Sequence, residues 1–240
     1  MGHKKRGYIR DTPEELVRDY KLFAITCEGG KREPEYFKVF EFLSRKIKVD
    51  VIENWMTDNE KQLRLEDKSA PKWVLDRAMK YIEKIGLIEE DDLWFVIDKD
   101  NWSDAQIRQL AAYCDDYPNW HLVISNPCFE VWLFFHMKAD IASSDSKCCA
   151  DFKTEITSFD RAGYNRFMFI ERFQDAIANA KANDSDTNHY LPKWKETKVY
   201  QLFDAIVAKV SNVEIKEFIS VKVPELRRFY TEELRTPKRK

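Results

Sequence analysis

Glycine and proline are scarce in this chain: its 240 residues include 6 Gly and 8 Pro. Flexible linkers between domains are rich in glycine, serine or proline, so the scarcity excludes a long linker. No stretch is apolar over the length that a membrane span requires, and the first residues, MGHKKR, lack the apolar core of a signal peptide. We therefore expect a cytoplasmic protein that is not bound to a membrane.

Cysteine has no pattern that indicates a zinc site or a disulfide framework. The five cysteines contain no Cys-x-x-Cys pair and no zinc-like Cys/His spacing. Adjacent cysteines rarely close a disulfide with good geometry. We predict buried reduced thiols at Cys27, Cys114, Cys128, Cys148 and Cys149.

An excess of basic charge is also absent. The formal net charge of −2 argues against a protein whose whole surface attracts nucleic acid. The two ends are nevertheless basic, and such tails are usually solvated but sometimes grip phosphates.

Apolar runs alternate with helical spacing four times along the first part of the chain. The runs lie at 21–27, 49–52, 93–97 and 120–125, and helical patterns follow at 34–46, 71–85, 103–117 and 127–136. Such strand–helix repeats indicate a parallel sheet covered on both faces. We predict an α/β core over residues 1–140 and a mainly α-helical extension packed on it over 141–240. The extension has a helix and loop at 152–166 and helices at about 169–182 and 197–210.

Polar side chains stand at the carboxyl ends of these predicted strands, the edge at which open parallel sheets bind ligands. Asp98 and Asp100 follow the third strand, and residues two apart on a strand point the same way. Both can then reach one Mg²⁺, which prefers oxygen ligands. Alternatively, they are turn or cap residues before a helix that Ser103 caps.

Glu28 ends the first buried strand and precedes two glycines, which allow a ligand to approach the backbone closely. It is either a metal ligand or general acid/base at a phosphate, or an exposed turn glutamate. The functional interpretation is favoured if the first and third strands are neighbours.

Two further candidates lie after the fourth strand. Glu130 is either a favourable charge at a helix N-terminus or another acidic ligand in a four-carboxylate cluster that holds two metals. His136 is a secondary candidate, because a lone histidine on an aromatic helix face is more often a packed core residue.

An anionic substrate would need basic or polar side chains beside these carboxylates. The candidates are Lys31, Arg32, Lys99 and Asn126. The three basic side chains are otherwise solvated surface charges. Three tryptophans are available to stack bases, although packing is their commoner use: Trp55, Trp102 and Trp120.

Three motifs, in this order, resemble those of the RloB family. They are CEGGKREPEYF at 27–37, VIDKD at 96–100 and SNPCFEVWLFFH at 125–136. The resemblance implies a Toprim-like Rossmannoid parallel sheet flanked by helices. It also implies a metal-dependent nuclease of abortive-infection type, often paired with an ATPase encoded alongside.

The resemblance also assigns roles to residues. It makes Glu28 the catalytic acidic residue and Asp98 and Asp100 the metal-binding pair, while Glu33 and Glu130 match further acidic positions. Two departures leave this set intact: Arg32 stands where Thr is common, and KETK at 195–198 replaces an Asn-Pro-Ser-Thr-like segment.

We therefore predict an endonuclease that uses Mg²⁺ or Mn²⁺ to cleave RNA, such as tRNA, or DNA in anti-phage defence. The alternative is a non-catalytic Toprim-like module that binds a partner ATPase in a defence complex. A phosphotransferase acting on a small nucleotide is less consistent with the sequence, since no G-x-x-x-x-G-K-[ST] loop occurs. Whether the protein forms a homo-oligomer stays open.

Overall fold

The computed structural model describes residues 19–52, 71–100, 102–161 and 163–235. Four parallel strands form one sheet in the order β2-β1-β3-β4. They are β1 (Lys21–Cys27), β2 (Ile47–Ile52), β3 (Asp92–Asp98) and β4 (Trp120–Ser125). Helices flank the sheet, so the predicted Rossmann-like α/β class, with a helical C-terminal part, is confirmed.

The first and third strands are neighbours at the centre of the sheet. Their side chains are buried almost throughout, as expected for continuous apolar runs that are covered on both faces. The register pairs Cys27 with Val96, and Asp98 with Ser125. The carboxyl ends of β1, β3 and β4 therefore meet at one edge.

The helices of the first part are α1 (Arg32–Phe37), α2 (Pro71–Ile85), α3 (Asp104–Asp115) and α4 (Glu130–Met137). The two faces of the sheet carry separate apolar layers, because successive strand side chains point to opposite sides. On one face, Ala24 and Phe95 belong to the layer formed with α2 and α3. On the other, Phe23 and Val96 belong to the layer formed with α1, α4 and the later helices.

The C-terminal part consists mainly of α-helices. They are α5 (Cys149–Ser158), α6 (Arg166–Ile170), α7 (Phe173–Asn183), α8 (Val199–Val207), α9 (Asn212–Glu217) and α10 (Val223–Arg235). Phe203 of α8 stacks on Trp132 of α4 and contacts Phe40, with ring centroids 5.2 and 4.8 Å apart. The core thus extends across the predicted boundary at residue 140, and the division itself stays a prediction.

Several predicted helix bounds are wrong. The helix expected at 34–46 ends at Phe37 and continues as a 3₁₀ helix, Lys38–Phe42. Phe37, Phe40 and Leu43 are all fully buried, and their spacing of three matches the three residues per turn of a 3₁₀ helix. The helix expected at 169–182 is divided between α6 and α7.

One predicted helix cap lies within the described residues, whereas several other predicted features lie outside them. Ser103 caps α3, as predicted, and its backbone N–H also donates to the Gln106 side chain. The predicted polar loop at 54–70, Trp55 and both basic ends lie outside the described residues. No helix in the described ranges is long and apolar enough to span a membrane.

Candidate functional site

Glu28 is held against the end of β3. Its backbone N–H donates to Val96 O at 3.0 Å, its Oε2 accepts from the Asp98 N–H at 3.0 Å, and its Oε1 accepts from Trp102 Nε1 at 2.9 Å. The side chain is therefore partly buried and oriented by two donors, which argues against a freely exposed turn glutamate.

Asp98 and Asp100 occupy different surroundings. Asp98 is the last residue of β3 and is partly buried, whereas Asp100 lies beyond the strand and is exposed. The strand alternation expected to align the two side chains therefore ends at Asp98. The Asp100 N–H donates to Pro127 O at 2.9 Å, which joins the loops that follow β3 and β4.

Glu33 joins this edge from the first turn of α1. It is buried, and its Oε2 accepts from the Gly29 N–H at 2.6 Å. A Cβ atom at Gly29 would overlap the Glu33 carboxylate, whereas a Cβ at Gly30 would meet open space. The Gly29 position therefore requires glycine for the Glu33 carboxylate to lie where it does.

Glu130 approaches from the first turn of α4 and is also buried. Its Oε1 forms an ion pair with Arg32 Nη1. The Arg32 guanidinium lies 4.8 Å from the centroid of the Tyr164 ring. The sequence predicts that Arg32 binds substrate. In the structure its guanidinium instead contacts a buried carboxylate and an aromatic ring.

These carboxylates raise one another's pKa. Burial, with a contribution from Asp100, raises the pKa of Glu28 to about 7 despite its two hydrogen bonds. Burial and the charges of Glu28 and Glu130 raise the pKa of Glu33 to about 8. Burial, followed by the charges of Glu33, Glu28 and Glu130, raises the pKa of Asp98 well above its usual range. The structure thus brings these acidic side chains, far apart in sequence, into one cluster, which we call the acidic cluster: Glu28, Glu33, Asp98, Asp100 and Glu130.

A family model described as RloB-like protein matches residues 23–206, which is more than half of the chain. The chain belongs to the RloB-like family. Searches of curated proteins and of solved structures found no match. The RloB-like region begins within β1, at Phe23, and contains the other three strands, the acidic cluster and the helices as far as Ile206 of α8. It therefore extends well beyond the three motifs at 27–136.

The other predicted substrate-binding side chains of this RloB-like chain have different environments. Lys99 donates to Trp102 O at 2.6 Å and pairs with Asp104 at 2.9 Å. Asn126 Nδ2 donates to Pro192 O at 3.0 Å. Lys31 is exposed immediately before α1. Lys99 and Asn126 therefore organise the loops at the sheet edge.

His136 lies in the aromatic core of the RloB-like fold. Its Nε2 is 2.8 Å from Tyr36 Oη, and its Nδ1 is 2.9 Å from Trp132 O. Burial lowers its pKa to about 3, so the ring is neutral at physiological pH. This placement corresponds to the packed core histidine that was the alternative to a site role.

Sequence reasoning missed two features beside the acidic cluster. Arg77 of α2 donates to Cys27 O at the end of β1. The Cys149 thiol is hydrogen-bonded to Cys128 and is only partly buried. Cys148 is exposed. The prediction of buried thiols is therefore wrong for Cys148 and Cys149. A helical pattern shows that 71–85 is a helix, but the packing of α2 on β1 decides that Arg77 faces the strand end.

The donor set has the right chemistry for Mg²⁺. Carboxylate oxygens are the ligands that this ion prefers, and each carboxylate has lone pairs beyond those used in the hydrogen bonds above. Within the described ranges, no three His, Cys, Asp or Glu side chains are already arranged as a metal-binding group. Binding would therefore require side-chain rotation at the rim, where Asp100 is exposed.

The Gly29–Glu33 contact makes a direct prediction. Gly29→Ala should displace a buried carboxylate and lower the free energy of unfolding by about 1–3 kcal/mol, the usual cost of overpacking. Urea denaturation at neutral pH measures the change. Gly30→Ala is the matched control and should stay within about 0.5 kcal/mol of the unsubstituted protein. Equal effects of the two substitutions would contradict the role given to Gly29.

Proposed function

We propose that this RloB-like protein is an endonuclease that uses Mg²⁺, or Mn²⁺, to hydrolyse phosphodiester bonds. The observation that carries the proposal is the acidic cluster at the carboxyl edge of the sheet. A domain with a purely structural role has no reason to gather partly buried carboxylates whose charges oppose one another. Ionisable groups with strongly perturbed pKa values gather at functional sites.

The residues divide into ligands and groups that orient them. Asp98, Asp100 and Glu28 would hold a metal ion, with Glu130 as a further ligand. When bound, the ion supplies charge that polarises the phosphoryl group. Glu28 is oriented by Trp102 and by the Asp98 N–H. Burial raises the pKa of Glu28 to about 7 in the metal-free protein, and the charge of a bound ion would lower that pKa and keep the carboxylate ionised as a ligand.

Membership of the RloB-like family supports a role in defence. We propose that the substrate is RNA, such as tRNA, or DNA of an infected cell, and that cleavage belongs to an abortive response to phage in the cytoplasm. An ATPase encoded alongside is the proposed protein partner, because the family resemblance implies one.

Cleavage by the purified protein tests the proposal. The protein is incubated with total tRNA and with DNA, in Mg²⁺ or in Mn²⁺, and the products are separated on a denaturing gel. Metal-dependent cleavage is expected, and Glu28→Gln and Asp100→Ala should lose it. Asp116→Ala removes an exposed carboxylate at the end of α3 and should cleave normally. Full cleavage by both cluster variants, with their folding verified, would contradict the proposal.

The second candidate is a non-catalytic module that binds an ATPase. The absence of a preformed three-ligand group among the described residues favours it. Calorimetric titration with Mg²⁺ or Mn²⁺ separates the two candidates. Binding that disappears in Glu28→Gln supports the nuclease, whereas no binding that depends on the acidic cluster supports the module.

A further inference from the structure

The segment 184–198 passes over the carboxyl end of β4. Before the crossing, Leu191 packs against the apolar layer formed with α2 and α3. After the crossing, Lys195 Nζ lies 5.9 Å from the centroid of the Phe152 ring, which belongs to the apolar layer on the other face of the sheet. Residues 192–194 therefore cross the edge at which the strand ends meet.

Backbone hydrogen bonds join this crossing to the loop that Asp100 contacts. The Lys195 N–H donates to Asn126 O at 2.7 Å. The next residue of that loop, Pro127, accepts from the Asp100 N–H at 2.9 Å. Trp194, which precedes Lys195, thus stands close to a member of the acidic cluster.

The segment is held in one conformation by its own contacts. Its ends are joined by the buried pair of Lys198 and Asp184, whose atoms are 2.6 Å apart. Within it, the buried Glu196 carboxylate accepts from the Lys193 N–H at 2.9 Å. The backbone at Lys195 has a φ of 66°, a left-handed value that non-glycine residues rarely adopt. The side chains at the crossing are therefore presented by a backbone that is fixed before a ligand binds.

Trp194 is 50% exposed on this fixed segment. A single exposed apolar side chain needs no explanation by itself, so its position is what matters. The ring stands at the edge of the candidate site, and the neighbouring Lys193 is also exposed. By contrast, Trp102 donates to Glu28, and Trp120 is buried. Trp194 thus presents an aromatic surface to solvent where a substrate strand would enter.

We propose that Trp194 stacks on an unpaired base of the nucleic-acid strand on which the acidic cluster acts. This inference rests on the proposed function, because it specifies how the same site binds its substrate. Stacking on an aromatic side chain requires an unpaired base, so the substrate class is a single-stranded segment of RNA or DNA. The position of Trp194 favours a strand over a protein surface, because the scissile phosphate must reach the nearby carboxylates.

Binding of labelled strands tests stacking separately from cleavage. Fluorescein-labelled single strands of DNA and RNA are titrated with protein in Ca²⁺, and a gel verifies that each probe stays whole. Trp194→Ala should weaken binding about tenfold, within the range for loss of one stacked base. The slope of log Kd against log salt should stay unchanged, because no phosphate contact is lost. Trp194→Phe should restore most of the affinity, since it keeps an aromatic ring.

An abasic strand of the same length provides the sharpest comparison. It offers sugar and phosphate but no ring to stack on, so the unsubstituted protein and Trp194→Ala should bind it with equal Kd. Tyr113→Ala is the matched control, because Tyr113 is 51% exposed but lies in the last turn of α3, the helix end that leads to the start of β4. It should leave the Kd of every probe unchanged.

Equal binding of base-containing strands by Trp194→Ala and the unsubstituted protein would overturn the inference, including where Trp194 contacts a protein instead. An equal loss with the abasic strand would also overturn it, because the effect would then be structural. Trp194→Leu takes the place of Trp194→Ala, with the same expectations, if that variant does not fold. Trp194-dependent binding without cleavage in any metal would contradict only the proposed nuclease. Metal-dependent cleavage with unchanged binding in Trp194→Ala would contradict only the role of Trp194.

Discussion

Asp98→Asn is expected to abolish cleavage and, at the same time, to make the metal-free protein more stable. The substitution removes a predicted metal ligand, so the cleavage rate should fall by about 100-fold or more, since even groups that only support metal ligands change activity by about 10–100-fold. It also removes a partly buried charge whose pKa is raised by burial and by the neighbouring charges of Glu33, Glu28 and Glu130. The metal-free variant should therefore be more stable than the unsubstituted protein at neutral pH.

The stability effect has a defined dependence on pH. The pKa of Glu28 rises from 4.5 to about 7 on folding, and that of Glu33 rises from 4.5 to about 8. Between pH 4.5 and pH 8 the folded protein therefore holds protons that the unfolded chain has released, so this contribution to stability is full below pH 4.5 and is lost as the pH rises to about 8. Asp98→Asn should reduce the loss, because the variant lacks the Asp98 carboxyl group, whose own pKa is raised by burial and by the charges of Glu33 and Glu28.

Urea denaturation from pH 5 to pH 8, with chelator and with Mg²⁺, measures both effects. Asp116→Asn, at an exposed position, should stay within about 0.5 kcal/mol of the unsubstituted protein throughout. Added Mg²⁺ should stabilise the unsubstituted protein at pH 8 and should have little effect on Asp98→Asn. A variant that is less stable than the unsubstituted protein at pH 8 would show that Asp98 is a structural residue.

The strands and the meeting of Glu28 with Asp98 could be predicted because they depend on local patterns and on one general rule. The run at 21–27 predicts β1 with its observed bounds, and 120–125 does the same for β4. In a parallel sheet the carboxyl ends of neighbouring strands meet at one edge. Once β1 and β3 pair, Glu28 and Asp98 must lie close together.

The helix-borne parts of the site could not be predicted in the same way. A helical pattern shows which residues are buried, but the position of α2 on β1 decides that Arg77 lies at the site. Similarly, Trp102 was considered for base stacking, and its observed hydrogen bond to Glu28 depends on the turn before α3. The first turn of α9 did have a local signal, since Ser211 and Glu214 form a capping box.

Lys198 forms a buried ion pair whose loss should have the largest effect on stability. Its Nζ lies 2.6 Å from each carboxylate oxygen of Asp184, and the two side chains are 1% and 0% exposed. Tyr200 Oη also donates to Asp184, at 2.6 Å. Lys198→Met would leave the Asp184 carboxylate buried without its cation, and the expected cost is about 3–5 kcal/mol.

The position of Lys198 connects this pair to the sheet edge. The Lys198 N–H donates to Ile124 O at 2.8 Å, and Thr197 Oγ1 lies 2.8 Å from Ser125 Oγ. The KETK segment, which departs from the family pattern, therefore anchors the approach to α8 beside the end of β4. Loss of the Lys198–Asp184 pair should therefore loosen the loop of Asn126 before it loosens the more distant helices.

The surface pair Lys181–Asp204 provides the control for Lys198. Its atoms are 2.7 Å apart, but its side chains are 52% and 40% exposed, so Lys181→Met should cost at most about 1 kcal/mol. Thermal and urea unfolding compare the two variants. The double variant Lys198→Met/Asp184→Leu should recover most of the lost stability, because an apolar replacement of a whole buried pair is often neutral or stabilising. If the double variant is as unstable as Lys198→Met alone, the unpaired charge on Asp184 is not the cause.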